Sequence, residues 1–192
     1  MKRWFEHMLI EHCAPTLKGM KPANLFRYRP ESEEERENLY LEAAGWQKAL
    51  RPLGVSVRVL KECRRTGSFL IYIYRENWLN NVLKNTEILS FLKKEGYRIG
   101  GDCAGYLRQL SVRLCVEQEF PHEIGIFLGY PLLDVVGFIE NEGKNYTCSG
   151  YWKAYGDPGE AERRFSAYRR CTEVCRQQFA QGAPLVRLIT AA

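Results

Sequence analysis

Apolar residues in two neighbouring segments predict adjacent strands of one β-sheet. Val55, Val57 and Val59 alternate with polar residues, a pattern typical of a strand with one face toward solvent. The run Phe69–Tyr74 is apolar throughout, as expected of a central strand buried on both faces. Residues 61–68, which join the two segments, are too few for a helix, so we expect an antiparallel hairpin. Shorter apolar runs predict further strands at Leu25–Tyr28, Tyr151–Tyr155 and Leu185–Ile189.

Apolar residues at helical spacing, with clear end signals, predict the helices around these strands. Ser32 and Glu35 form a capping box at the start of one helix, which ends before Pro52. Asp157 is placed to cap the last helix, which Gly182 ends. The stretch between the hairpin and residue 141 is predicted to be helical in pieces covering residues 76–84, 86–95, 102–117, 122–128 and 131–140.

Together these elements predict an α+β fold, as a mixed α/β layered domain. We expect a four- to five-stranded mixed sheet with a central helical cluster, and we expect residues 1–192 to form a single domain. A content of 45% hydrophobic residues is typical of a globular protein, and 12% aromatic residues disfavour a disordered chain.

Charge and cysteine usage narrow the class of protein further. The net charge of +5 is mild, which indicates a soluble surface rather than a nucleic-acid binder. The longest apolar run, Ile124–Leu133, falls well short of the ~20 residues of a membrane helix, so we expect no membrane partner. No targeting signal is evident. Seven cysteines without a CxxC pair disfavour a disulfide framework and a zinc ribbon, and indicate a reducing, cytoplasmic location.

The segment Phe120–Ile139 is the most unusual part of the chain, because glycines, prolines and a histidine punctuate an otherwise apolar run. Such punctuation indicates a fixed backbone shape. His122 is a candidate general base that Glu123 or Asp134 could orient, or a candidate metal ligand together with His12, Cys13 or Glu123. The simpler alternative is a structural histidine at a helix start.

Cys13 is the best candidate for a reactive thiol. A helix predicted from Arg3 to about His12 is expected to break at Pro15, which would place Cys13 at a turn near Lys18 and Lys21. Nearby cations stabilise a thiolate. The alternative is a buried structural cysteine, which is the common state of this residue type.

The predicted strand Tyr151–Tyr155 carries a second set of candidate binding residues. Tyr151 and Lys153 share one face and Trp152 lies on the other. One face could line a pocket for a flat ligand or an anion, whereas core packing with a lysine that extends to solvent explains the pattern equally.

Residues 123–139 also have the apolar spacing of a helix-turn-helix. A recognition helix needs basic groups for the phosphates, yet this one has no lysine or arginine and carries Asp134 and Glu140. Nucleic acid is therefore a disfavoured partner.

The chain resembles a domain-of-unknown-function family of similar length from anaerobic Gram-positive bacteria. The resemblance rests on the segments HCAPTLKGMKPANLF, FPHEIGIFLGYPLLDVVGFIENEG and GYWKAYGD and covers nearly the whole chain. It implies no established activity. It implies genes near those for flavodoxin and ferrous-iron uptake, and hence a link to iron or redox physiology. Leu133 stands where such proteins are expected to carry an acidic residue.

Three hypotheses follow from these residues. The first is a small-molecule or metal-related pocket lined by Cys13, His122, Lys21 and the Tyr151–Tyr155 strand. The second is a thiol enzyme with Cys13 as nucleophile and His122 as base. The third is a non-catalytic interaction module that uses an exposed aromatic surface. The sequence specifies no cofactor, metal or oligomeric state.

Overall fold

A three-stranded antiparallel sheet lies between two layers of helices in the computed structural model, which describes residues 3–117 and 119–190, with the backbone alone for Arg3. The strands are β1 (Ala23–Tyr28), β2 (Ser56–Cys63) and β3 (Ser68–Tyr74), in the order β1-β3-β2. The predicted hairpin of β2 and β3 and the central position of β3 are therefore confirmed.

The remaining elements are helices and one small second sheet. The helices are α1 (Arg3–Leu17), α2 (Glu33–Leu50), α3 (Glu76–Val82), α4 (Thr86–Lys94), α5 (Cys103–Val116), α6 (Ile124–Phe127), α7 (Leu132–Glu140), α8 (Pro158–Ala180) and α9 (Leu185–Leu188). The second sheet pairs β4 (Cys148–Ser149) with β5 (Lys153–Ala154). Both predicted caps are present, because Ser32 accepts a hydrogen bond from the Glu35 amide and Asp157 accepts one from the Gly159 amide.

Successive side chains of β3 enter two different cores, as the alternation of a strand requires. Phe69, Ile71 and Ile73 pack with α1, α2 and the end of α8, on what we call the α1 face of the sheet. Tyr72 and Tyr74 point to the other side, the α5 face, which the helices α3–α7 cover. The predicted central helical cluster is this second layer.

The fold class is α+β, but the expected four- to five-stranded mixed sheet is wrong in size and direction. The main sheet has three strands, all antiparallel. Residues 185–188 form the short helix α9 instead of a strand. The helix begins directly after Pro184, and its residues Leu185 and Leu188 are buried. The strand expected at 151–155 shortens to Lys153–Ala154, because the Asp134 carboxylate takes the amide of Tyr155.

The helix break expected at Pro15 is also absent. Helix α1 continues through Pro15 to Leu17. A proline in a helix interior costs about 3 kcal/mol, because it cannot donate to the carbonyl four residues earlier. Contacts from outside the helix hold this end of α1 in place, since its last carbonyls need partners that the helix itself does not supply. Arg75 supplies those partners: its Nε donates to the Thr16 carbonyl at 2.7 Å and its Nη2 to the Leu17 carbonyl at 2.6 Å.

Among the described residues, none of the helices is both long and apolar enough to cross a bilayer.

Candidate functional site

The unusual segment at residues 120–139 forms most of the wall of an open cavity of about 280 Å³. The cavity lies on the α5 face of the sheet, and we call it the Phe138 pocket. Its lining is mainly apolar and aromatic, and consists of Leu25, Phe120, His122, Ile124, Gly125, Leu128, Tyr130, Asp134, Val135, Phe138, Trp152 and Lys153.

Two glycines give the corner between α6 and α7 its shape. Gly129 has φ +75°, and a Cβ there would lie 2.2 Å from Pro22 Cγ. The corner therefore packs directly on the loop between α1 and β1. A Cβ on Gly125 would lie 2.7 Å from Val135, so this glycine lets α6 and α7 approach closely. The punctuation seen in the sequence thus marks a fixed backbone shape.

Asp134 fixes one wall of the pocket. Its Oδ2 accepts a hydrogen bond from Trp152 Nε1 at 2.7 Å. Its Oδ1 accepts from the amides of Tyr155 at 2.7 Å and Gly156 at 3.2 Å. The buried carboxylate is thus satisfied by N–H donors, as a buried anion requires. Its role here is to hold Trp152 in place, and both of its oxygens are already in use.

Two nitrogen-bearing side chains lie around the Phe138 ring. The imidazole of His122, which is exposed, lies 4.7 Å from that ring between centroids. The Lys153 Nζ lies 5.8 Å from the same ring and 4.9 Å from the ring of Tyr146. This ammonium also donates to the Gly143 carbonyl at 2.7 Å. The pocket therefore combines an apolar floor with a cation and a histidine.

The comparisons with known proteins place the chain in a family. A match to the family described as "Protein of unknown function (DUF3793)" covers residues 9–189. The chain belongs to this family. No curated protein and no solved structure gives a significant match. The DUF3793 match includes every residue that lines the Phe138 pocket, and the description of the family assigns no activity.

In this DUF3793 member, Glu123 is a structural anchor beside the pocket. Its Oε1 accepts from Arg113 Nε at 2.6 Å and from the Tyr97 hydroxyl at 3.0 Å. The carboxylate is buried, and it ties the start of α6 to α5. Glu123 is therefore engaged with these two partners and does not orient His122.

The structure does not bring Cys13 and His122 together. Cys13 lies inside α1, fully buried in the core on the α1 face of the sheet. His122 lies in the Phe138 pocket on the opposite face. Burial raises the pKa of the Cys13 thiol far above its ordinary value, so the sulfur is held as a thiol. The turn expected at Cys13 is absent because α1 continues to Leu17.

Lys21 lies near Cys13, as the sequence suggested. Burial dominates both pKa values, but the charge of Lys21 lowers the pKa of the Cys13 thiol and Cys13 raises the pKa of Lys21. It is buried, with an exposed fraction of 3%, in the loop between α1 and β1. Lys21 does not line the Phe138 pocket. His12 is exposed, and its ring stacks on Phe26 at 5.3 Å, away from His122.

The aromatic strand contributes to the pocket through Trp152 and Lys153. Trp152 stacks on Tyr130 with ring centroids 4.9 Å apart, and both rings line the cavity. Tyr151 points away from it, toward α8, where it meets Tyr168 edge to face at 5.2 Å. The alternation of faces predicted from the sequence is not retained, because Trp152 and Lys153 both line the pocket while Tyr151 packs toward α8, and residues 150–152 form a bend before the short strand Lys153–Ala154.

Sequence reasoning missed Tyr130 and Arg75. Tyr130 lines the pocket. Its position in the sequence between Gly129 and Pro131 was the signal that could have identified it as a residue of fixed orientation. Arg75 caps α1 from the end of β3, and the sequence holds no local sign of that contact, because its partners lie about 58 residues earlier and 115 residues later along the chain.

Residues 3–117 and 119–190 contain no group of three or more histidine, cysteine or acidic side chains that could hold a metal ion.

Proposed function

We propose that this protein binds a small, flat, mostly apolar ligand that carries one anionic group, in the Phe138 pocket. The observation that supports this is the composition of the pocket wall. Aromatic and aliphatic side chains surround Phe138. The Lys153 ammonium and the His122 imidazole both lie next to the Phe138 ring. An apolar cleft with a few convergent polar groups is the usual form of a ligand site.

The charges around the pocket favour an anion over a cation. The carboxylate of Asp134 belongs to the wall, but both its oxygens accept hydrogen bonds from N–H groups of the protein. Among the described residues, the Lys153 ammonium has one acceptor, the Gly143 carbonyl, and an ammonium has three protons to donate. A ligand carboxylate beside Lys153 would therefore gain a charge-assisted hydrogen bond.

The size of the cavity limits the ligand. Pockets for drug-sized molecules span roughly 300–1,000 Å³, and this one measures about 280 Å³. One or two aromatic rings with a single carboxylate fit these limits. The stacked rings of Tyr130 and Trp152 offer a flat wall for such rings.

Organic ligand binding has more support than the three alternatives, which are a thiol mechanism, an interaction module and a metal-related role. A thiol mechanism needs its base within hydrogen-bond reach of the sulfur, and the sheet separates Cys13 from His122. For an interaction module, apolar side chains such as Leu41 and Val116 are exposed, but nothing in the structure says what covers them. A metal-related role lacks a ligand cluster within the described residues.

We also propose that the protein works in the reducing cytoplasm. All seven cysteines are free thiols, at positions 13, 63, 103, 115, 148, 171 and 175. Free thiols persist where cellular reductants keep cysteines reduced.

Paired ligands that differ only in charge test the proposed function. Isothermal titration compares benzoate and naphthoate with benzyl alcohol and naphthylmethanol on the wild-type chain and on Lys153→Met. We expect the wild type to prefer each acid over its alcohol about tenfold, the value of one hydrogen bond to a charged group. In Lys153→Met that preference should disappear while the affinity for the alcohols is kept.

Lys144→Met is the matched control, since it removes the same charge from a highly exposed position nearby. It should leave the preference for acids intact. The proposal fails if none of the four compounds binds, or if Lys153→Met and Lys144→Met lower the preference equally, which would indicate only general attraction to a basic protein.

A further inference from the structure

Lys21 is a buried cation without a counter-ion. Its Nζ lies 5.1 Å from the ring centroid of Tyr130 and 5.9 Å from that of Tyr168. Within residues 3–117 and 119–190, no hydrogen bond or ion pair reaches this ammonium, and only 3% of the residue is exposed. A buried charge is ordinarily paired or hydrogen-bonded, so this arrangement needs an explanation.

The groups that face Lys21 are uncharged at neutral pH. Cys13 comes from α1, Tyr130 from the corner before α7, and Tyr168 from α8. Burial raises the pKa of Tyr130 to about 12, and it also raises the pKa of Tyr168 and of the Cys13 thiol. None of the three can therefore act as an anion for Lys21.

Arg75 shows how the same fold treats a cation that it uses structurally. The Arg75 side chain is equally buried, but it donates to the carbonyls of Thr16, Leu17 and Thr190 at 2.6–2.7 Å. These bonds close the end of α1. Lys21 has no comparable acceptor in the described chain, so helix capping does not account for it.

Burial without a counter-ion favours the uncharged amine. Desolvation lowers the pKa of Lys21 to about 8, against ~10.4 for an exposed lysine. An uncharged lysine has a free electron pair on nitrogen. Desolvated lysines of this kind act as nucleophiles toward carbonyl groups in proteins.

We propose that Lys21 is a covalent site for a small aldehyde, whose carbonyl carbon the Lys21 amine attacks to form an imine. The nitrogen lone pair forms the new C–N bond, and the carbonyl oxygen leaves as water with the two amine hydrogens. No oxidant or reductant is consumed. The imine nitrogen then takes up one proton from water, and the resulting positive charge lies between the two tyrosine rings, which stabilise it as they stabilise the ammonium.

The location also limits which aldehydes can react. Lys21 precedes Pro22, on which Gly129 of the α6–α7 corner packs closely, and only 3% of the residue is exposed, so there is little room for a large group at its nitrogen. Small aldehydes such as propionaldehyde should react, and bulky aromatic aldehydes should not. This site is separate from the Phe138 pocket, although Tyr130 contacts both.

Reductive trapping on the intact folded chain tests the proposal. The wild type is treated with propionaldehyde and sodium cyanoborohydride at pH 7.5, and the rate of propylation of each lysine is read by peptide mass spectrometry. At this pH the uncharged fraction of a lysine with a pKa near 8 exceeds that of an exposed lysine by more than about a hundredfold. After allowance for restricted access, we expect Lys21 to react at least about tenfold faster than the exposed Lys84 and Lys144.

The pH profile and one variant identify the nucleophile. The rate at Lys21 should rise with pH to a midpoint near 8. Cys13→Ala should leave the Lys21 rate unchanged, and a large loss there would assign the chemistry to the thiol and overturn the proposal. It is also overturned if Lys84 and Lys144 react while Lys21 reacts only after denaturation.

Discussion

At the residue scale, two buried cations separate structural from chemical roles. Arg75 has backbone acceptors for its protons and a clear function at the end of α1. Lys21 has two aromatic rings and no acceptor within the described residues. A charge held in this way destabilises the native state, because water solvates an ammonium better than aromatic rings do. Residues that lower the stability of the native state in this way are common at functional sites.

Replacing Lys21 with methionine should stabilise the protein at neutral pH. The folded-state pKa of about 8 lies below the unfolded value of ~10.4, so below pH 8 both states are protonated and the full cost of burial is present. A shift of this size corresponds to roughly 3 kcal/mol, less about 1 kcal/mol for the lost contacts with the rings. We therefore expect Lys21→Met to unfold at higher urea concentration at pH 7.

The sign of the pH dependence follows from the same shift. Between pH 8 and 10 the folded state loses the Lys21 proton while the unfolded state keeps it, so the wild type gains stability and the difference from Lys21→Met narrows. The exposed Lys84→Met variant removes the same charge from the surface and should unfold at the same urea concentration as the wild type at pH 7. A Lys21→Met protein less stable than the wild type at pH 7 would mean that the ammonium is stabilised in the fold.

At the element scale, the corner between α6 and α7 connects the two faces of the sheet. It packs through Gly129 on Pro22, next to Lys21, and it carries Tyr130 into the Phe138 pocket. Its position is fixed on one side by Glu123, which is bound to α5 through Arg113. On the other side, Asp134 at the start of α7 binds the segment around β5. The geometry of the pocket thus depends on how this corner docks.

Gly129→Ala should disrupt that docking. The residue has φ +75°, and the added Cβ would lie 2.2 Å from Pro22, so the corner or the loop must move. Gly100 is a matched control, because its φ of +99° brings similar backbone strain but a Cβ there meets nothing within 4 Å.

The backbone strain alone should lower the free energy of unfolding by about 1–2 kcal/mol in either variant. We expect Gly129→Ala to lose about 1–3 kcal/mol more than Gly100→Ala, because the added methyl group also overpacks the contact with Pro22. Urea unfolding measures both. Equal losses in the two variants would show that the contact with Pro22 does not fix the corner.

At the scale of the whole molecule, local signals in the sequence predicted the elements well. The caps at Ser32 and Asp157, the β2–β3 hairpin and the buried central strand all depend on short-range patterns, and the structure contains them. The number of strands in the sheet was overestimated, because strand pairing is decided by distant segments. The short apolar run at 185–189 could be a strand or a helix by its pattern alone, and packing selects the helix.

The candidate site was predictable only in part, for the same reason. Residues 120–139 stood out by their glycines and prolines, and they form most of the Phe138 pocket. The pairing of Cys13 with His122 was a guess about tertiary distance, and the sheet lies between them. The lack of a partner for Lys21 is likewise a property of the assembled fold, which no spacing in the chain reveals.

Methyl-detected NMR of the wild-type chain with naphthoate tests the central claim most directly, because it shows where an anionic aromatic ligand binds. We predict saturable shifts in the methyl groups of Ile124, Leu128 and Val135, which line the Phe138 pocket, and none at the exposed Leu41 and Val116. Shifts confined to the exposed methyl groups, or no saturable shifts at all, would contradict a ligand site in this pocket.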